Sequence, residues 1–291
     1  MSRRPTAEEP VELVVPRAVP VPENGFRWVR GESGIDASTR IPGLFLVAKG
    51  GGRLLPVIPP RDLYLEFLRV EPDEASTLEF ANRFGKLGIP QEHFHSTECS
   101  GRFGESAGRW GHVIGVFQHW FEVWQSIEMR NLIKLRKLLL DSGAPLEDER
   151  LKESLTRDLV KTARSYVVAE INRILAPGVS IPLSNYQGCF HEGCSYKAKV
   201  PRVTEHVSCQ LILREDRGRV RIGLQLIPDQ LLTTVWLQFA ELVAGGRRVR
   251  PCDLCGHWMD ISETARPGAK RMHERCSLAR RMRKWRAKRR G

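Results

Sequence analysis

The chain has 291 residues, of which 41% are hydrophobic and 27% charged, with a net charge of +12, a composition within the range of ordinary globular proteins. Its length allows one large domain or two small ones, and no run approaches the ~18 apolar residues a membrane-spanning helix requires. Seven cysteines, an odd number, beside a first segment without an apolar export signal, favour metal ligands and buried thiols in a reducing cytoplasm over a disulfide framework.

Residues 1–25, MSRRPTAEEPVELVVPRAVPVPENG, are rich in Pro and Glu and read as a disordered arm. Three short apolar runs follow, Phe26–Arg30, Leu44–Lys49 and Arg53–Ile58, separated by turns such as Gly50-Gly51-Gly52, and read as strands. Leu63, Phe67 and Val70 predict a helix over Arg61–Val70, and Pro72-Asp73 opens a second that stops at Gly85. Residues 88–108 read as a polar loop. From Trp110 to about Leu140 one long helix is expected, on the stripe Val113, Phe117, Trp120, Trp124, Ile127, Leu135 and Leu139. Ser142-Gly143 breaks it, and another helix runs from about Glu147 to Leu175. VSCQLILRE and RVRIGLQLI predict a hairpin turning at Asp216–Gly218, followed by a helix from Pro228 to a stop at Gly245. The fold class is therefore α+β: a mixed body over residues 26–246, then a C-terminal module over 247–291.

In that module Cys252-x2-Cys255 is followed, with seventeen residues between the pairs, by His273-x2-Cys276. Two such pairs can close a tetrahedral Zn2+ site, which would be structural. Gly256 stands where the knuckle needs a residue without a side chain. Trp258 is placed to pack over the site, and His257 rivals His273 as fourth ligand.

The run CDLCGHWM…KRMHERCSLARRMRKWR resembles the C-terminal zinc finger of bacterial proteins of the CGNR and ABATE class, stress-related transcriptional regulators. That pattern is a Cys-x2-Cys-Gly knuckle, an aromatic two residues on, basic residues before Cys-Ser, and a further Cys leading into an Arg-rich helix. Here the knuckle is Cys252–Gly256, the aromatic Trp258, and Cys-Ser is Cys276-Ser277. The chain departs where the last cysteine is expected, since Arg280 or Arg281 stands there. LEFANRFGKLG (Leu78–Gly88) is similar to a Phe-x-Asn-Arg-Tyr-Gly stretch of related bacterial proteins, and TTVWLQFAELVAGGRRVRPC to their lead-in helix. The resemblance implies a treble-clef-like finger, a cytoplasmic transcriptional regulator, and duplex DNA rather than RNA as partner.

From Thr264 to Gly291 twelve Lys and Arg face one acid, Glu274, so this end carries +11 of the net +12. A basic tail on a neutral body points to a polyanion. Arg275–Arg290 has no helix breaker, and Arg280, Arg281, Arg283, Lys284, Arg286, Lys288, Arg289 and Arg290 are the expected nucleic-acid contacts. Leu278, Met282 and Trp285 form a strip too narrow for a membrane-surface helix. The body would sense a small-molecule effector or form a homodimer. Two other readings stay open: a nuclease or toxin using the finger for targeting, and an RNA- or ribosome-associated factor.

Weaker constellations include Cys189, Cys194, His206 and Cys209 as a second zinc site. His206 and Cys209 fall on a predicted strand, where residues three apart face opposite sides. His93, His95, His112 and His119 with Cys99 match no catalytic spacing, so no catalytic residue is assigned. The aromatics around Phe117 read as core.

Overall fold

Glycine and proline punctuation near the start of the chain builds two small β units before any helix forms. The computed structural model describes residues 18–33, 41–89, 91–96, 99–141, 156–175, 207–216, 219–228, 230–244, 249–261 and 272–288. Val19–Pro22 (β1), assigned to the arm on composition, pairs antiparallel with Leu54–Val57 (β4), Val19 opposite Val57. A two-stranded ribbon tolerates its prolines because each strand has an edge where a missing N–H is not needed.

Phe26–Ser33 (β2) and Ile41–Ala48 (β3) pair along their whole length. Residues 88–108 are not a loop throughout: they hold Glu92–Ser96 (β5) and Cys99–Ser106 (β6), which close a four-stranded barrel of order β2-β3-β6-β5. These strands were hidden because so small a barrel needs few apolar residues. Its buried cluster is Val29, Phe45, Val47 and Phe94, with Phe45 and Phe94 stacked at 4.2 Å. Gly104 permits that stack, since a Cβ there would lie 2.9 Å from Phe45 Cβ and 3.1 Å from the Phe94 ring. Gly104→Val is expected to cost about 1–3 kcal/mol by overpacking, read as a lower thermal midpoint. An unchanged midpoint would contradict this packing.

Two short helices follow, Leu63–Phe67 (α1) and Glu74–Phe84 (α2). As expected, Asp73 caps α2, its carboxylate accepting the Ser76 N–H at 2.7 Å, and Gly85 ends it at φ 101°. The single long helix expected over 110–140 is two, Ala107–Glu128 (α3) and Leu132–Asp141 (α4). Arg130 takes φ 53°, its N–H reaches Ile127 O at 3.1 Å, and the Asn131 N–H reaches Ser126 O at 2.9 Å. This is the hydrogen-bond pair of a Schellman stop without its usual glycine. Asn131 then caps α4 by accepting the Lys134 N–H at 3.1 Å.

Thr156–Leu175 (α5) comes next, then the hairpin Val207–Asp216 (β7) and Arg219–Pro228 (β8), then Leu231–Val243 (α6). The hairpin closes with Asp216 opposite Arg219, as its turn residues predict. Nine of the thirteen residues of α6 are buried, the mark of a helix enclosed by others. Its polar Gln238 is satisfied there, donating to Pro60 O at 2.9 Å and accepting the Tyr64 N–H at 3.2 Å. Phe117 of α3 is the hub of the core, edge-on to Phe67, Trp236 and Phe239 at 5.4, 5.2 and 5.5 Å. Among the described residues no helix is long and apolar enough to cross a membrane.

One carboxylate is sealed inside. Glu105 accepts the Gly88 N–H at 2.8 Å, the Leu87 N–H at 3.3 Å and the Trp110 indole N–H at 3.0 Å. Burial pushes its pKa up to about 7, against the pull of Lys86 and these donors. The folded pKa exceeds the ordinary 4.5, so the folded state retains a proton that the unfolded chain releases. This contribution to stability is complete below about pH 4.5 and lost as pH rises through 7. Relative to Glu105→Gln, the native chain should lose on the order of 3 kcal/mol between pH 5 and 8. Denaturant midpoints of both proteins across that range test this, and a pH-independent difference would refute it.

Candidate metal centre and basic helix

The C-terminal module begins with a minimal hairpin. Val249–Pro251 (β9) pairs with Trp258–Asp260 (β10), Pro251 opposite Trp258 and Val249 opposite Asp260. Between them the knuckle is closed by Gly256 N–H to Cys252 O and Cys252 N–H to His257 O, each 2.9 Å. Gly256 sits at φ 73°, a conformation glycine adopts without strain. The second half is Glu274–Lys288 (α7), whose first turn is joined to the site where the Ser277 N–H reaches His273 O at 2.9 Å.

These elements bring Cys252, Cys255, His273 and Cys276 together, with their ligand atoms all within 4.8 Å of one another. Among the described residues no other group of three or more His, Cys, Asp and Glu side chains is gathered in this way. His273, not His257, is the fourth member, and His257 is exposed and contributes its carbonyl to the knuckle. The tautomer of His273 follows from its neighbours. Nε2 lies 3.1 Å from Trp258 O, a carbonyl that can only accept, so Nε2 carries the proton. Nδ1 is left as the ligand atom, 3.4 Å from Cys255 Sγ. A ligating imidazole held through its other nitrogen by a carbonyl is the usual outer-shell arrangement of a metal-binding histidine.

The sulfurs are electrostatically strained against each other. Burial opposes ionisation of Cys252, but backbone N–H groups, Cys255 and Leu254 foremost, outweigh it and bring the thiol down to about 6. Cys276 is driven the other way, to about 11, by desolvation and by the Cys255 and Cys252 sulfurs beside it. Ionising all three sulfurs at this spacing is opposed by their mutual repulsion, which a cation among them would relieve. The arrangement can hold a metal ion with four protein ligands and no open position, as a structural rather than a catalytic centre.

The Trp258 ring packs edge-on against Phe121 at 5.5 Å and 76°, joining the main core, while its carbonyl faces His273. Val249 also packs on that core, and Met259 is buried. The module is thus seated on the body by Val249, ahead of the first ligand, and by Trp258, between the two ligand pairs.

On α7, Arg280, Arg281, Arg283 and Arg286 are exposed, and among the described residues none is paired with an acid. Lys284 and Lys288 lie on the same helix, while Arg289 and Arg290 fall outside the described residues. Leu278, Met282 and Trp285 are also exposed, at 56%, 42% and 48%. The expected strip is therefore on the surface.

Of the second cluster, Cys189, Cys194 and His206 lie outside the described residues, and Cys209 lies on β7. His93 and His95 fall on β5 and Cys99 on β6. On α3, His112 is exposed and His119 half-buried, its Nε2 without a hydrogen-bond partner and its pKa lowered by burial despite Glu122 and Asp141. Two contributions escaped the sequence reading, which placed only the Trp258 ring at the site. Trp258 acts on the site through its carbonyl, and Arg69 donates to that carbonyl from 189 positions away, where no local pattern signals it. No protein-family model, curated protein or solved structure matches the chain.

Proposed function

We propose that the C-terminal module is a treble-clef-like zinc finger that presents α7 to nucleic acid, and that the protein is a cytoplasmic DNA-binding regulator of the CGNR and ABATE type. The observation that carries this reading is the growth of a basic helix directly out of the four-ligand cluster, with exposed arginines that pair with no acid among the described residues. Three thiolates and one imidazole suit Zn2+ among the abundant divalent ions. A zinc tetrahedron has ligand–ligand edges of roughly 3.5–3.8 Å, and the Cys255 Sγ to His273 Nδ1 separation is already 3.4 Å.

Anchored at its first turn, α7 can enter a major groove or follow phosphates, with arginine supplying forked contacts to either. The body then serves as the sensing or dimerising part. A salt titration of binding to duplex DNA and to structured RNA tests the reading. Phosphate contacts release counterions, so log affinity should fall steeply with log salt, and duplex DNA should bind more tightly than RNA. Preference for structured RNA would transfer the function to an RNA- or ribosome-associated factor. Absence of salt-dependent binding to either would overturn the nucleic-acid reading.

A further inference from the structure

Trp258 O is the meeting point of the metal centre and the body. It accepts from His273 Nε2 at 3.1 Å and from Arg69 Nη2 at 3.2 Å, one donor for each lone pair of the carbonyl. Arg69 lies just past α1 and is itself held. Its Nη1 pairs with Glu66 Oε1 at 3.0 Å, and the other oxygen of Glu66 pairs with Arg83 Nη1 at 3.2 Å. The guanidinium therefore spans a fixed carboxylate and the carbonyl that orients a ligand.

We propose that Arg69 is a positioning residue of the metal centre, locking the Trp258 carbonyl and thereby the His273 imidazole, so that the body contributes directly to metal affinity. This rests on the metal-binding reading above. Two physical effects act in the same direction. The first is orientation. A carbonyl gripped from one side cannot rotate away, so the histidine keeps its Nε2 proton and its Nδ1 stays aimed at the sulfurs. The second is charge. A dication with three thiolates and a neutral imidazole carries a net negative charge, and the Arg69, Glu66 and Arg83 trio carries a net positive one. The link is reciprocal, since metal that fixes His273 and Trp258 also fixes the carbonyl that Arg69 grips, and stabilises the seat of the finger on the body.

The test uses the full chain with Zn2+ alone, in competition with a chromophoric chelator, and Co2+ as a spectroscopic stand-in. Arg69→Met should weaken Zn2+ binding by about tenfold, the lower end of the effects seen for outer-shell partners, and should move the visible Co2+ bands as the imidazole loosens. Arg69→Lys keeps the charge but cannot fork between Glu66 and the carbonyl, and should recover part of the affinity. Arg83→Met, which removes one charge of the trio without touching the carbonyl, should lose only the smaller electrostatic part of the affinity and leave the Co2+ bands unmoved. Far-UV circular dichroism at the titration temperature confirms that each variant is folded. Native affinity and an unmoved Co2+ spectrum in Arg69→Met would overturn the proposal, as would an equal loss in Arg83→Met. Failure of the native chain to take up either metal is a different result, and refutes the metal centre itself.

Discussion

Cys252→Ser is expected to empty the metal centre, reducing stoichiometric metal after dialysis against a mild chelator to a trace. Cys252 is the buried member of the four, and its sulfur receives the backbone N–H groups of the knuckle. A serine hydroxyl there stays protonated and supplies no anionic ligand. The module has little else to hold it, since β9 and β10 have three residues each and an isolated hairpin is marginal even when longer. The apparent binding free energy of structural zinc, about 10–16 kcal/mol, is therefore largely the folding free energy of such a unit. Loss of metal should release α7 from the hairpin while the Phe117-centred core survives, so the far-UV signal should fall only by the finger's share. His257→Ala, by contrast, should retain metal, because only the backbone carbonyl of His257 is used. Metal content equal to the native chain in Cys252→Ser, or lost in His257→Ala, would show that the ligand set is wrong.

Changing Arg280, Arg281, Arg283 and Arg286 together to Gln should weaken binding to duplex DNA and flatten its salt dependence. Each phosphate contact removed lowers the slope of log affinity against log salt by about 0.9, so four contacts correspond to a change of up to about 3.6. All four are exposed on α7, and glutamine preserves helical propensity, so metal content and thermal midpoint should stay at native values. An arginine that touches only phosphate weakens all sequences alike. One that reads a guanine edge weakens its own site by a further ~1–3 kcal/mol. A parallel set of slopes for variant and native chain would place the polyanion grip elsewhere. This substitution separates charge from folding better than truncation before the finger, which would also remove Trp258 from its contact with Phe121.

Much of the architecture was legible because local signals agreed. The α2 boundaries followed from Asp73 and Gly85, the β7–β8 hairpin from its turn residues, and α6 as a helix from its periodic apolar residues. Three features were not legible, each for a physical reason. The break at Arg130 is a Schellman stop in which arginine takes the left-handed conformation, and no residue type announces that. Strands β5 and β6 are mostly polar, with two glycines in β6, because the barrel they close has room for only a handful of large side chains. Strand β1 carries prolines that argue against pairing, yet a two-stranded ribbon leaves them an unpaired edge.

The three cysteines of the candidate metal site and the basic helix were legible in the sequence alone. Cysteine spacing is a covalent constraint on which sulfurs can meet at one point, and a run of cations without breakers is local in the same sense. Tertiary structure decided what depends on partners far apart in the chain. It selected His273 over His257, set its tautomer through the Trp258 carbonyl, packed the Trp258 ring against Phe121, and brought Arg69 to the other lone pair of that carbonyl. Ligand identity is written in short-range spacing, whereas ligand orientation is imposed by packing, because a hydrogen bond between residues 69 and 258 exists only once the core that carries both has formed.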